Sequence, residues 1–159
     1  MAEEKTNVMR VLDQKKIRYT PHQYPHGETP PDGVTVARLT GLDPAQVFKT
    51  LVTVGASKKN YVFVIPVEKE LDLKAAAKAV REKSIAMLRQ SELLPLTGYV
   101  HGGCSPVGMK KVLPTVIHES AQGLDTMAVS AGKVGFQVEL SPADLAGLVR
   151  AAFAPVAAE

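Results

Sequence analysis

Phe48-Lys-Thr-Leu-Val-Thr-Val54 and Tyr61-Val-Phe-Val-Ile-Pro-Val67, joined by Gly55-Ala-Ser-Lys-Lys-Asn60, decide the class of fold. Both runs are apolar and β-branched, and the glycine, serine and asparagine between them turn the chain back, so the pair reads as a β-hairpin. Upstream the periodicity changes. Over residues 7–17, Val8, Leu12 and Ile17 recur at helical spacing with Thr6 as a cap, which predicts an amphipathic helix. Residues 18–24 read as a short edge strand, because Pro21 cannot donate to a sheet ladder. Residues 25–33 hold Gly27, Pro30, Pro31, Asp32 and Gly33, a turn-forming set that predicts a long loop and a candidate site wall. A short helix follows over residues 34–39 and ends near Gly41.

Downstream of the hairpin, residues 71–81 predict a helix with Leu73, Ala76 and Val80 on one face and Lys74, Lys78 and Arg81 on another. Residues 84–88, 115–118, 127–130 and 135–140 read as strands, and Ser141-Pro142 opens a last helix through Phe153. From Pro155 the chain is expected to fray. Helices and strands are interspersed rather than strictly alternating, which predicts an α+β fold, a mixed, barrel-like sheet surrounded by helices. With 159 residues and no internal repeat or composition shift, a single domain over 1–159 is expected.

Composition narrows the function classes. The 19 Lys+Arg against 16 Asp+Glu give a net charge of +3, which permits an anionic partner without demanding one. One cysteine, Cys104, excludes an intramolecular disulfide framework and a multi-cysteine zinc site, and the four histidines show no paired metal spacing. No cofactor is implied. The acidic start, the lack of an apolar leader and the absence of a membrane-length apolar run lead us to expect a cytoplasmic protein that binds no membrane.

Three segments carry candidate chemistry. Thr97-Gly-Tyr-Val-His-Gly-Gly-Cys-Ser-Pro-Val-Gly108 packs four glycines into twelve positions, so Gly102-Gly103-Cys104-Ser105 either presents successive N–H groups to an oxyanion or phosphate, or forms a tight structural loop. Lys49 stands inside an apolar strand, where it either meets an anionic ligand or faces solvent by simple alternation. Val129-Ser-Ala-Gly-Lys133 runs a strand into a Ser/Gly/Lys turn that lacks the spacing of a P-loop, so it is an anion-binding turn or a plain hairpin turn. Cys104, three residues after His101, admits a thiol-nucleophile reading, although sequence neighbours seldom hold each other in catalytic geometry. His22 and His26 flank Tyr24 without any further ligand at metal spacing, so solvated or hydrogen-bonded side chains are expected.

Taken in order, Val47-Phe-Lys-Thr-Leu51, Leu71-Asp-Leu-Lys74, the glycine segment 97–108 and Val129-Ser-Ala-Gly-Lys133 resemble the successive motifs of the YbaK/EbsC family of aminoacyl-tRNA deacylases, relatives of the prolyl-tRNA synthetase editing domain. The resemblance runs from the opening helix to the closing one. It implies trans-editing of Cys-tRNA(Pro), with some action on cysteinyl-tRNA generally, in which the substrate's own thiol attacks its ester and no protein nucleophile is needed. By the same resemblance Lys49, Gly102 and Gly103 are the catalytic set, and Tyr24, Phe48, Thr50, Ser105 and Ser130 bind substrate. Asp32, His101, Cys104 and Ala131 depart from residues common in relatives. The resemblance implies aminoacyl-tRNA and prolyl-tRNA synthetase as partners, and neither DNA nor membrane. Lys74, Lys78, Arg81, Lys110 and Lys111, with Lys58 and Lys59, are expected to follow the acceptor stem. Two other readings stand beside it: a nucleotide- or RNA-binding module of the same fold without turnover, or a sister specificity for alanyl- or seryl-tRNA. A thiol hydrolase dependent on Cys104 is a third.

Overall fold

A computed structural model describes residues 5–158. In chain order it places α1 (Asn7–Gln14), β1 (Tyr19–Gln23), α2 (Gly33–Thr40), β2 (Phe48–Gly55), β3 (Asn60–Pro66), β4 (Glu70–Leu71), α3 (Leu73–Val80) and β5 (Ile85–Met87). There follow α4 (Gln90–Thr97), β6 (Thr115–His118), a 3-10 turn (Glu119–Gly123), β7 (Met127–Ser130), β8 (Phe136–Leu140), α5 (Pro142–Val149), β9 (Ala152–Ala154) and β10 (Ala157–Ala158).

The hairpin forms as read, with β2 and β3 antiparallel from Phe48 opposite Pro66 to Val54 opposite Asn60. It is the centre of a five-stranded mixed sheet ordered β5-β2-β3-β6-β9, in which β6 lies parallel to both β3 and β9. Strand alternation explains its unbroken apolar run. Val62 and Val64 face the main core with Val8, Leu12 and Val138, while Tyr61, Phe63 and Ile65 face a second core under α3 with Ala76 and Ala77. Buried on both faces, β3 has no solvent side on which to alternate polar residues.

A second sheet, β1-β8-β7, is antiparallel throughout, and Pro21 sits on its edge strand as the sequence suggests. The fold is α+β, but the described residues form open sheets rather than a closed barrel, which corrects the barrel-like expectation. The two sheets meet where Val47 bridges Ala128 and the Ala128 N–H donates to the Gln46 carbonyl at 2.9 Å.

A polar knot flanks that junction. Glu139 accepts from Thr126 Oγ1 at 2.5 Å and from Gln46 Nε2 at 3.1 Å, and its other oxygen lies 2.8 Å from His22 Nε2. The Thr126 hydroxyl first, and His22 second, hold the Glu139 carboxyl below its ordinary value of 4.5.

Three helix readings change. α3 starts at Leu73 because the Asp72 carboxylate caps the N–H groups of Lys74 and Ala75, at 3.1 and 3.0 Å. Leu73 is exposed rather than on the buried face, and Arg81 takes a left-handed φ of 60° that ends the helix, so the basic helical face shortens to Lys74 and Lys78. α5 stops at Val149, where Arg150 turns left-handed at φ 56°, and the following residues become β9. α4 is absent from the sequence reading because Pro95 lies inside it and Arg89 provides no side-chain cap.

Residues 155–158 do not fray. Val156 is fully buried, the N–H groups of Val156 and Ala157 donate to His118 Nδ1 at 3.2 Å each, and β10 pairs with β4 through Ala157 opposite Leu71. A buried imidazole that accepts two backbone hydrogens outweighs the local preference of Pro155 for a loop.

Because the folded Glu139 carboxyl titrates below its ordinary value, its stabilisation is present above about pH 4.5 and is lost as pH falls through the folded value. We expect Glu139→Gln to lower Tm by about 2–4 °C at neutral pH, the equivalent of about 1 kcal/mol, and to flatten the fall in Tm below about pH 5. Melting curves across that range check it, and parallel curves for the two proteins would contradict the knot's role.

Candidate functional site

β5 pairs with β2 only through Thr53–Gly55, with Gly55 opposite Ile85, so the first half of β2 presents an edge that no strand among the described residues covers on that side. Against this edge lies a cavity of about 620 Å³ whose wall takes residues 47–52 consecutively. That volume lies within the range of small-ligand sites. An uncovered edge is what allows Lys49 to sit in an apolar strand: half-buried, it reaches the cavity beside Phe48 and Thr50. The Lys49 side chain makes no ion pair or hydrogen bond among the described residues.

The opposite walls come from distant segments. The β1–α2 connection supplies Tyr24, Pro31 and Asp32; α4 supplies Gln90 and Leu93; the glycine segment supplies His101, Gly102 and Cys104. β7 and β8 supply Ser130 and Gln137, which stand opposite each other in the ladder. Asp32 is already occupied, since its Oδ1 accepts from the Thr35 N–H at 2.7 Å as the cap of α2, and hydrogen bonds from Thr35 hold its carboxyl below the usual range.

The glycine segment is braced from within. Buried Tyr99 donates its hydroxyl to the Val107 carbonyl at 2.5 Å, Ser105 Oγ accepts from the Val107 N–H at 3.2 Å, and burial pushes the Tyr99 phenol up to about 12. Ser105 is therefore fully buried and outside the cavity wall. Gly102 has φ +87°, and a Cβ there would lie 2.5 Å from Pro30 Cβ, so only glycine fits.

Gly103 differs from the sequence expectation. It does not line the cavity, and its N–H is already donated to the Val100 carbonyl at 3.0 Å, which removes it from a row of free donors. The N–H groups of Gly102 and Cys104 make no backbone hydrogen bond among the described residues. Of the sequence-derived set, the cavity thus gathers Lys49, Gly102, Tyr24, Phe48, Thr50 and Ser130, and leaves out Gly103 and Ser105. Ser130 has a second task, because its Oγ accepts from the Gly132 N–H at 3.1 Å and shapes the turn.

Gln137, Gln90 and Leu93 were not legible as site residues. Gln137 alternates with Phe136 and Val138 along β8 and reads as an ordinary solvent-facing polar position. It is instead 6% exposed, and its Oε1, like Thr50 Oγ1, is buried without a hydrogen-bond partner among the described residues.

The thiol of Cys104 is pushed up to about 12, chiefly by burial and against a hydrogen bond with Thr97 that lowers it. It is a neutral, weakly reactive group at physiological pH. His22 is engaged with Glu139, and His26 Nδ1 lies 3.0 Å from the Gly27 carbonyl oxygen. Lys58, Lys59, Lys74, Lys78, Arg81, Lys110 and Lys111 are all exposed. No helix among the described residues is long and apolar enough to cross a membrane.

Comparison with known proteins gives this cavity a context. A family model described as an aminoacyl-tRNA editing domain matches residues 28–148. A protein of Enterococcus faecalis, provisionally named Cys-tRNA(Pro)/Cys-tRNA(Cys) deacylase EbsC, is 43% identical over 154 residues, covering 97% of this chain and 94% of its own. A solved structure described provisionally as a trans-editing enzyme for prolyl tRNA synthetase superposes with a TM-score of 0.82 at 24% identity, over 99% of this chain and 100% of that one. Another, of a hypothetical protein, reaches 0.85 at 22% identity, over 96% of this chain and 100% of its own. These two structures share the fold.

Alkylation of Cys104 by iodoacetamide at about pH 8 is expected to run at least about 100-fold slower than that of free cysteine, whose thiol titrates near about 8.5. A rate close to that of free cysteine would contradict the burial argument and revive a nucleophilic thiol.

Proposed function

The chain belongs to the aminoacyl-tRNA editing domain family, and from that premise we propose that it clears mischarged tRNA in trans, with Cys-tRNA(Pro) as its substrate. The carrying observation is the cavity itself: an unpaired ammonium on one wall, unbonded N–H groups of a glycine loop on another, and no reactive protein thiol between them. The name of the Enterococcus faecalis relative supports cysteine as the cleared amino acid and proline tRNA as the carrier.

In this reading Lys49 is a fixed cation that orients the terminal adenosine and the ester. It acts by position, and a cation held at an uncovered strand edge needs little reorganisation on binding. The Gly102 and Cys104 N–H groups receive the scissile carbonyl oxygen, while Gly103 holds the loop closed against Val100. Tyr24, Phe48, Thr50 and Ser130 enclose the aminoacyl end.

The substrate thiol, as thiolate, attacks its own ester carbonyl carbon. A sulfur–carbon bond forms, the carbon–oxygen bond to the ribose breaks, and the ribose oxygen keeps the electron pair and takes up the proton the thiol gave away. Orienting an intramolecular attack contributes several kcal/mol, of the roughly 7–11 kcal/mol available to ideal geometry.

We further take residues 1–159 as one editing domain in the cytoplasm. Lys110 and Lys111, which follow the glycine segment, together with Lys74, Lys78, Arg81, Lys58 and Lys59, track the acceptor stem by phosphate attraction. The net charge of +3 supports only weak binding of tRNA unaided, which favours delivery by prolyl-tRNA synthetase. The description of the related solved structure points the same way.

The test is deacylation of Cys-tRNA(Pro), with Ala-tRNA(Pro) and Ser-tRNA(Pro) alongside, by the native protein and by Lys49→Ala. We expect loss of cysteine alone and a fall in kcat/KM of about 100-fold or more in the variant. Removal of alanine or serine instead would assign a sister specificity, and tRNA binding without turnover would assign a binding module.

A further inference from the structure

β8 turns two polar side chains, Gln137 and Glu139, to the face opposite Phe136, Val138 and Leu140, which lie in the core. Their fates differ. Glu139 is saturated by Thr126, Gln46 and His22. Gln137, only 6% exposed, lines the cavity and keeps its Oε1 without a hydrogen bond among the described residues.

A buried amide oxygen with no donor carries a desolvation penalty, and folded proteins pair nearly all such atoms. An unpaired one on a cavity wall is a group waiting for a ligand donor.

The surroundings decide which ligand donor it meets. Lys49 and the Gly102 and Cys104 N–H groups are donors, and they suit the oxygens of an ester and its ribose. Among the acceptors, the carboxylates of Asp32 and Glu70 belong to exposed residues, and Ser130 Oγ already accepts from the Gly132 N–H. Gln137 Oε1 and Thr50 Oγ1 are the buried oxygens of cavity-lining side chains that have no hydrogen-bond partner among the described residues, and of the two only the carboxamide oxygen is solely an acceptor. An aminoacyl ester carries one strong cationic donor, its α-ammonium group.

We infer that Gln137 is a specificity-determining residue whose buried carboxamide oxygen accepts a hydrogen bond from the substrate's α-ammonium group. The inference rests on the reading of the cavity as the seat of an aminoacyl ester. Its consequence is that the protein distinguishes a free α-amine from a blocked one, so N-acylated aminoacyl-tRNA is a poor substrate.

The experiment measures kcat/KM on Cys-tRNA(Pro) and N-acetyl-Cys-tRNA(Pro) for the native protein, Gln137→Met and Gln137→Glu. The native protein is expected to cleave the acetylated ester about 10- to 100-fold less well, as for loss of one hydrogen bond to a charged group. Gln137→Met should lose a similar factor on the free amine while leaving the acetylated ester nearly unchanged, so the preference collapses. Gln137→Glu keeps an acceptor and should keep both the activity and the preference. If Gln137→Met does not fold, as judged by its melting curve, loss of the preference in Gln137→Glu overturns the inference and its retention supports it. Equal losses on both esters in Gln137→Met, or no loss on either, would also overturn it. A native protein inert toward every cysteinyl ester would overturn the proposed function itself, and the inference with it.

Discussion

Val47 bridges Ala128, and that contact sets how far apart the two sheets stand. Gln46 reinforces it from both ends: its carbonyl accepts from the Ala128 N–H, and its amide reaches Thr126 and Glu139. Just beyond the junction, residues of both sheets line the cavity, and β5 arrives only at Thr53. The cavity is the space between the junction and that late arrival. Backbone pairing and one polar knot hold two of its walls, while the β1–α2 connection and the glycine segment supply the others.

This geometry also resolves why a lysine belongs in an apolar strand. A lysine deep in a sheet would need a partner charge, because burying an unpaired ammonium is costly. At a strand edge facing an open cavity, Lys49 is only half-buried and keeps contact with water until a ligand arrives. The same economy is visible across the cavity, where Gly102 brings bare backbone against Pro30 and Gly103 gives up its own N–H to hold the loop. The glycine pair thus divides its labour: one residue faces the cavity, the other fastens the segment behind it.

Much of the fold was legible because its signals are local. The β2–β3 hairpin, β6 and β7 follow from short apolar runs bounded by turn residues, and α1 follows from Val8, Leu12 and a threonine cap. What stayed hidden depends on partners far along the chain. β9 and β10 form because β6 and β4 offer edges and His118 offers an acceptor, none of which residues 152–158 announce. α4 carries an internal proline and no capping side chain, so its existence is a tertiary outcome. For the site, Lys49 and Gly102 stood out by being unusual in their contexts, whereas Gln137 looked like any polar residue in an alternating strand. Only the closure of one sheet over another shows that its face is dry.

The central claim is that the protein positions and the substrate reacts. Buried Cys104, with its thiol pushed up to about 12, agrees with that division, and so do the cavity-lining Lys49 and the N–H groups of Gly102 and Cys104, which make no backbone hydrogen bond among the described residues. The direct measurement is the rate of deacylation of Cys-tRNA(Pro) against S-methyl-Cys-tRNA(Pro), in which the attacking sulfur is blocked while the amine, ester and tRNA are unchanged. The account predicts that the methylated ester survives at close to its spontaneous rate of hydrolysis while the cysteinyl ester is lost. Comparable rates for the two would mean that water or a protein group is the nucleophile, and would contradict it.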